Sequence, residues 1–118
     1  MIKSHIKLYI VSSQKNGQEP VTNISSLDQN YLKIPYIEID NTISIEDNLK
    51  KLVDKYISTY SNFVNPILYN VSIEQSEILS VNYYSWIHRD HIKNNNLFFI
   101  DIKNVLYDQN IQKLTRII

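Results

Sequence analysis

The sequence predicts an α+β fold, a small mixed sheet flanked by two helices, in a single domain over 1–118. Three observations carry this expectation. Residues 4–12 and 77–88 have the period-two or continuously apolar character of strands. Residues 45–59 repeat their apolar side chains at helical spacing. Further strand-like runs stand on both sides of that helix, so the two periods are mixed along one chain.

From Ser4, the residues Ile6, Leu8 and Ile10 alternate with Lys7, Tyr9 and Val11, which predicts a strand to about Ser12 with one face on the core. Ser13 to Pro20 is polar turn chemistry, and Val21 to Asn30 reads equally as loop or short strand. Tyr31 to Asp40 is rich in strand formers but interrupted by Pro35. A proline cannot donate to a sheet ladder, so it marks a strand start, an edge or a bend.

The helix from Ile45 to about Thr59 carries Ile45, Leu49, Leu52, Val53, Tyr56, Ile57 and Tyr60 around one stripe. Ser44 is its expected cap, Asp47 completes a variant capping box, and Glu46 and Asp47 suit the positive end of the helix dipole. Glu46 with Lys50, and Asp47 with Lys51, contribute a few tenths of a kcal/mol each, so Lys50, Lys51, Asp54 and Lys55 read as a solvated face.

Ile67 to Glu74 and Glu77 to His88 are two strands of an antiparallel hairpin with Gln75-Ser76 between them. The second has Leu79, Val81, Tyr83 and Ile87 on one face and Ile78, Tyr84 and Trp86 on the other, as expected of a central strand covered on both sides. Asn94 to Asn96 is a turn, Leu97 to Ile102 a short strand, and Asp108 the cap of a last helix carrying Ile111, Leu114, Ile117 and Ile118.

Composition removes whole classes of function. Twelve basic side chains balance twelve acidic ones, so the long-range attraction that phosphate backbones and anionic lipid exert on basic proteins is missing. With 43% hydrophobic residues the chain can build a core without metal or disulfide. The absence of cysteine excludes a disulfide-linked partner, thiolate metal sites and cysteine nucleophiles. No apolar run approaches about 18 residues and Lys3 interrupts any signal-peptide core, so no membrane role and a cytoplasmic location are expected. A single glycine, Gly17, excludes the glycine-rich phosphate loops of Walker, Rossmann and kinase sites. Heavy use of Ile and Asn is the habit of AT-rich genomes, those of many phages among them.

Local motifs offer little catalysis. His88-Arg89-Asp90 with Asn95 repeats a kinase-loop spacing by coincidence, because the other parts of a kinase have neither room nor glycine here. His88 and His91 fall on opposite faces if the strand continues; if the chain turns they come within reach of one metal, with Asp90 as a third ligand. A bare His-x-x-His is weak, and neither a metal nor any other cofactor is assigned. The nine tyrosines and Trp86 sit mostly at periodic apolar positions, which favours core packing, and Lys93, Lys103, Lys113 and Arg116 are too scattered for a basic groove.

The run Ile34-Pro35-Tyr36-Ile37-Glu38-Ile39, a polar loop and the helix Ser44 to Ser58 resemble the strand, loop and helix of a Nudix domain. Ile78 to Ile87 is similar to that family's central strand, and Leu97 to Ile102 with Leu106 to Ile111 to its closing strand, acidic turn and final helix. The resemblance implies a helix whose glutamates hold magnesium on a substrate diphosphate. Aligned on the amphipathic stripe, this chain has Lys51 at the family's arginine, Leu52 at the first glutamate, Lys55 and Tyr56 at the glutamate pair, and Ser58 at the glycine; a shifted register brings Asp54 toward a ligand position but disrupts the stripe. An ammonium about 4 Å from a divalent cation repels it by several kcal/mol even at an effective dielectric of about 20.

No catalytic residue is therefore expected. The expectation is a binding protein, an accessory, regulatory or assembly factor that contacts another protein through the Lys/Asp helix face and the segment His88 to Asn96. Trp86 and Arg89 are its expected anchors, with His88 and His91 beside them. The alternatives are a metal-dependent hydrolase of nucleoside diphosphate derivatives, using carboxylates such as Glu38, Asp40, Glu46 and Asp47, and a module that recognises a nucleotide or nucleic acid.

Overall fold

The computed structural model describes residues 3–17, 19–58, 65–75, 77–93 and 97–118. They form strands β1 (Lys3–Asn16), β2 (Glu19–Ser26), β3 (Tyr36–Glu38), β4 (Ile67–Glu74), β5 (Ile78–Trp86) and β6 (Phe98–Asp101), with helices α1 (Ile45–Tyr56) and α2 (Gln109–Thr115). The strands make one mixed sheet in the order β4-β5-β1-β2-β6, with β3 added on β1.

The long strand β1 organises the sheet. One edge runs parallel to β5 from Lys3 to Val11. The other pairs antiparallel first with β3, over His5 to Lys7, and then with β2, from Val11 onward. Its alternation serves two cores. Ile6, Leu8 and Ile10 pack with Leu52, Val53 and Tyr56 of α1, while Tyr9 and Val11 pack with Ile111 and Leu114 of α2. The strand is thus covered on both faces over Leu8–Val11, where one covered face was expected, because a helix lies on each side of the sheet. Full burial of a side chain such as Leu52 stabilises by roughly 1.5–3 kcal/mol.

The local signals hold where they are short-range. Ser44 caps α1 by accepting from the Asp47 N–H at 3.0 Å, and Asp108 caps α2 by accepting from the N–H groups of Asn110 and Ile111 at 2.9 and 3.1 Å. The β4–β5 hairpin has the expected partners, with Gln75 in the left-handed region at φ 50°. Pro35 stands just before β3, and its carbonyl accepts from the Leu8 N–H at 3.0 Å.

Other boundaries move. The expected turn over 13–20 is mostly ladder: β1 runs on to Asn16, and Gly17, at φ 71°, supplies a left-handed bend before β2. Helix α1 stops at Tyr56 because Ile57 turns extended and bridges to Ile92; Thr59 and Tyr60, the expected end, lie outside the described residues. So do Ser76 and the expected turn Asn94 to Asn96. The strand expected to reach Ile102 ends at Asp101, whose carboxylate caps a 3₁₀ turn over Ile102–Val105. Strand β5 lies inside the sheet, paired with β4 and β1, as expected, but Trp86, expected to be covered, is 48% exposed. Among the described residues no helix is long and apolar enough to cross a membrane.

Candidate functional site

Helix α2 is only seven residues long, and it covers the sheet over Tyr9 and Val11 but not over the first part of β1. There the α2 side of the sheet is polar. Register places His5 beside Ser80 and Lys7 beside Asn82, then Ser72 and Asn70 of β4 beyond them, with Tyr36 and Glu38 of β3 on the opposite flank. The result is a cleft of about 680 Å³, walled by β4, by the chain leading into β3 and by the start of α2. Tertiary packing, not any local motif, makes this concavity.

Its floor is held by a continuous hydrogen-bond network. Asn82 accepts from Ser80 Oγ at 2.8 Å and donates through Nδ2 to Asn70 Oδ1 at 2.6 Å and to Ser72 Oγ at 3.0 Å. Asn70 in turn donates to Asn110 Oδ1 at 3.2 Å, which ties the sheet to α2. Lys7 and Glu74 form a close ion pair across the cleft, and the His5 and Tyr36 rings stack at 4.8 Å and 22°. Deeper in, Tyr9 and Tyr69 meet edge to face at 5.4 Å, and burial holds both hydroxyls above the ordinary tyrosine range. The cleft thus presents a half-exposed aromatic plane, three lysines (Lys7, Lys33, Lys113) and two carboxylates (Glu74, Asp108) to a ligand.

On the other side of the sheet, α1 presents different chemistry. Leu52 is fully buried and Tyr56 nearly so, Lys55 lies over the Tyr56 ring at 5.4 Å, and Lys51 reaches Asp40 at 3.9 Å. The Asp40 carboxyl also accepts from the N–H and hydroxyl of Thr42, which holds its pKa below the ordinary value. Glu38 pairs with His5 in register on the α2 side, while Glu46 and Asp47 occupy the first turn of α1. Among the described residues no three His, Asp or Glu side chains gather as a metal site would need.

The residues expected as a binding site are only partly brought together. The chain turns after β5 into a 3₁₀ turn, Arg89–His91, and the His88 and His91 rings approach to 5.9 Å, with His88 Nδ1 3.5 Å from Asp90. This turn is strapped to the end of α1: the N–H and hydroxyl of Ser58 donate to the His91 carbonyl at 2.7 and 3.0 Å, and the Lys93 N–H donates to the Tyr56 carbonyl at 2.7 Å. The two surfaces expected to meet a partner, the α1 face and the segment after β5, are therefore continuous.

Trp86 does not belong to that surface. It is registered with Val11 and so projects on the α2 side, whereas Arg89 lies 4.0 Å over Phe99, which pairs with Ser25 on the α1 side. The Arg89 Nε is buried without a hydrogen-bond partner among the described residues. Ser12 Oγ, Asn23 Nδ2 and Ser25 Oγ, also on the α1 side by register, share that state.

Sequence reasoning passed over the cleft residues altogether. One signal was present: Ser80 and Asn82 are polar on the face of the second hairpin strand that Ile78, Tyr84 and Trp86 mark as covered. That they lie buried beneath a cavity lined by Lys7, Tyr36, Glu74 and Asn110 depends on sheet order, to which alternation is blind.

No family model matches the chain, and none of the curated proteins matches it in sequence. Solved structures do. A mutT/nudix family protein from Listeria innocua superposes with a TM-score of 0.75 at 12% identity, covering 97% of this chain and 92% of that one. The C. elegans Ap4A hydrolase gives 0.71 at 6% identity, covering 99% and 98%. The NUDIX domain of Shewanella oneidensis NrtR, complexed with ADP ribose, gives 0.64 at 11% identity, covering 98% and 88%. At these identities the likeness shows the fold, which is Nudix-like and α+β.

Proposed function

We propose that this Nudix-like domain works by binding rather than by hydrolysis, and that its ligand is a nucleotide derivative held in the cleft between β1, β3, β4 and α2. The observation that carries the reading is the contrast between the two faces of the sheet. Diphosphate hydrolysis in such a fold needs carboxylates that hold a divalent cation, and in the register that the resemblance implies those positions of α1 carry Lys51, Leu52, Lys55 and Tyr56. These groups do not fit a metal, because an ammonium repels the ion and buried aliphatic and phenolic groups supply no hard anionic oxygen. The cleft, by contrast, combines the stacked His5–Tyr36 plane with Lys7, Lys33 and Lys113, a pairing suited to an aromatic base and an anionic tail. The NUDIX domain of NrtR, a similar structure, is complexed with ADP ribose, which supports that ligand class.

The test is a paired screen. Nucleotide sugars, dinucleotides, ADP-ribose and nucleoside triphosphates are offered with magnesium and with manganese, and both turnover and thermal shift are recorded. The expected result is stabilisation by at least one ligand, about 2.7 kcal/mol at a hundredfold excess over Kd, with turnover no greater than a blank. Cleavage of a pyrophosphate bond would establish the hydrolase reading. No shift with any of these ligands would remove the cleft as a nucleotide site.

A protein partner is a second reading, favoured by Arg89. Its guanidinium is stacked on a partly exposed Phe99, a cationic and aromatic pair of the kind that anchors a protein interface. In that role the domain acts as an accessory, regulatory or assembly factor.

A further inference from the structure

We propose that two copies of this chain associate by antiparallel pairing of their β4 strands about a two-fold axis at Ser72. Strand β4 is an edge of the sheet and, among the described residues, pairs only with β5. An edge strand offers a row of unpaired backbone donors and acceptors, and proteins that stay monomeric blunt it with lysine, proline or a bulge. The run Ile67–Glu74 contains neither lysine nor proline, and its single irregularity lies between Leu68 and Asn70, so Asn70–Glu74 is a regular, open edge.

The exposed side chains match a second copy of themselves. On the α1 side of the strand Val71 is 55% and Ile73 66% exposed. With Ser72 on the two-fold axis, Val71 of each copy lies directly opposite Ile73 of the other, two aliphatic cross-strand pairs on one face. On the other face Asn70 lies opposite Glu74 of the second copy, so amide meets carboxylate and the two carboxylates never meet. Glu74 is already paired with Lys7 in its own chain, and a formal net charge of zero removes long-range repulsion between copies. A second copy is favoured over an unrelated extended peptide because this one strand supplies both halves of the match.

The pairing bears on the cleft. A two-fold axis perpendicular to the sheet keeps faces together, so the two clefts open on the same side of one continuous sheet. Because Ser72 and Glu74 wall the cleft, the second copy's Asn70 lies beside it.

Sedimentation equilibrium on the wild-type chain and on two variants tests this. The wild type should be a dimer. Val71→Glu and Ile73→Lys, both at exposed positions, should keep the native circular dichroism and weaken self-association at least about tenfold each. An equimolar mixture of the two should recover a heterodimer, since the introduced glutamate then faces the introduced lysine while the remaining valine and isoleucine still meet. Ser72→Cys, in a chain with no other cysteine, should form an intermolecular disulfide on mild oxidation. A wild type that stays monomeric at its highest soluble concentration overturns the proposal. So does a dimer indifferent to both charged variants, or a mixture that fails to recover.

Discussion

Asn82 donates a 2.6 Å hydrogen bond to Asn70, joining β5 to the edge strand β4 beneath the cleft. The same amide holds Ser72 and accepts from Ser80, so one fully buried side chain satisfies three neighbours. Asn82→Leu keeps the volume and strands those partners, at about 1–3 kcal/mol for each buried group left unpaired. Urea unfolding should show a loss of about 3 kcal/mol in total. An unchanged midpoint would mean that the network adds nothing to stability.

Asn48 does the corresponding work on the other face. Fully buried in α1, it accepts from the Asp40 N–H at 2.8 Å and donates to the carbonyls of Asp40 and Ser44 at 3.0 and 2.8 Å. Asn48→Ala frees the loop that enters the helix and should cost about 2–3 kcal/mol in denaturant unfolding. Asp47→Ala, whose side chain is exposed, should cost under about 0.5 kcal/mol beside it.

Alkaline pH should weaken the fold through Tyr9 and Tyr69. Burial raises both hydroxyls above their ordinary value of 10.0, so the folded chain keeps protons that the unfolded chain releases. Their contribution is complete below pH 10.0 and declines as the pH climbs above it. Tyr69→Phe should flatten the decline in a stability profile from neutral to strongly alkaline pH; an unaltered slope would assign the effect elsewhere.

Tyr36→Ala removes one half of the stacked pair with His5 from an exposed position. Thermal stability should change little, within about 0.5 kcal/mol, while the shift produced by a nucleotide ligand should fall by more than half. Equal shifts in both proteins would place the ligand outside the cleft.

Arg89→Ala and Phe99→Ala should lower the yield of a co-purified protein partner together, because the two side chains are stacked at 4.0 Å. Trp86→Ala, on the opposite face of the sheet, should leave that yield unchanged. Loss of the partner in all three would show that the surface wraps around the end of β5.

The parts of the fold that were legible in the sequence share one physical property, which is short range. Ser44 and Asp108 cap helices by bonding N–H groups two or three residues away, and the β4–β5 hairpin pairs neighbours across one turn. The approach of His88 to His91 once the chain turns is also a matter of local spacing, whereas the side of the sheet on which Trp86 stands turned on strand parity across β1 and β2. The end of α1 was misplaced because it depends on a partner far along the chain, Ile92, which captures Ile57 into an extended bridge.

By itself the sequence determined the α+β class, the one long amphipathic helix with its cationic face, and the exclusion of cysteine chemistry and glycine-loop nucleotide sites. Each of these follows from residue type or local spacing. The tertiary structure alone decided that β1 serves two cores, that β4 pairs with β5 alone among the described residues, and that His5, Tyr36, Glu74 and Asn110 converge on one cleft. Those facts depend on which strands become neighbours, and the free energy that chooses neighbours comes from burying the whole set of apolar faces at once.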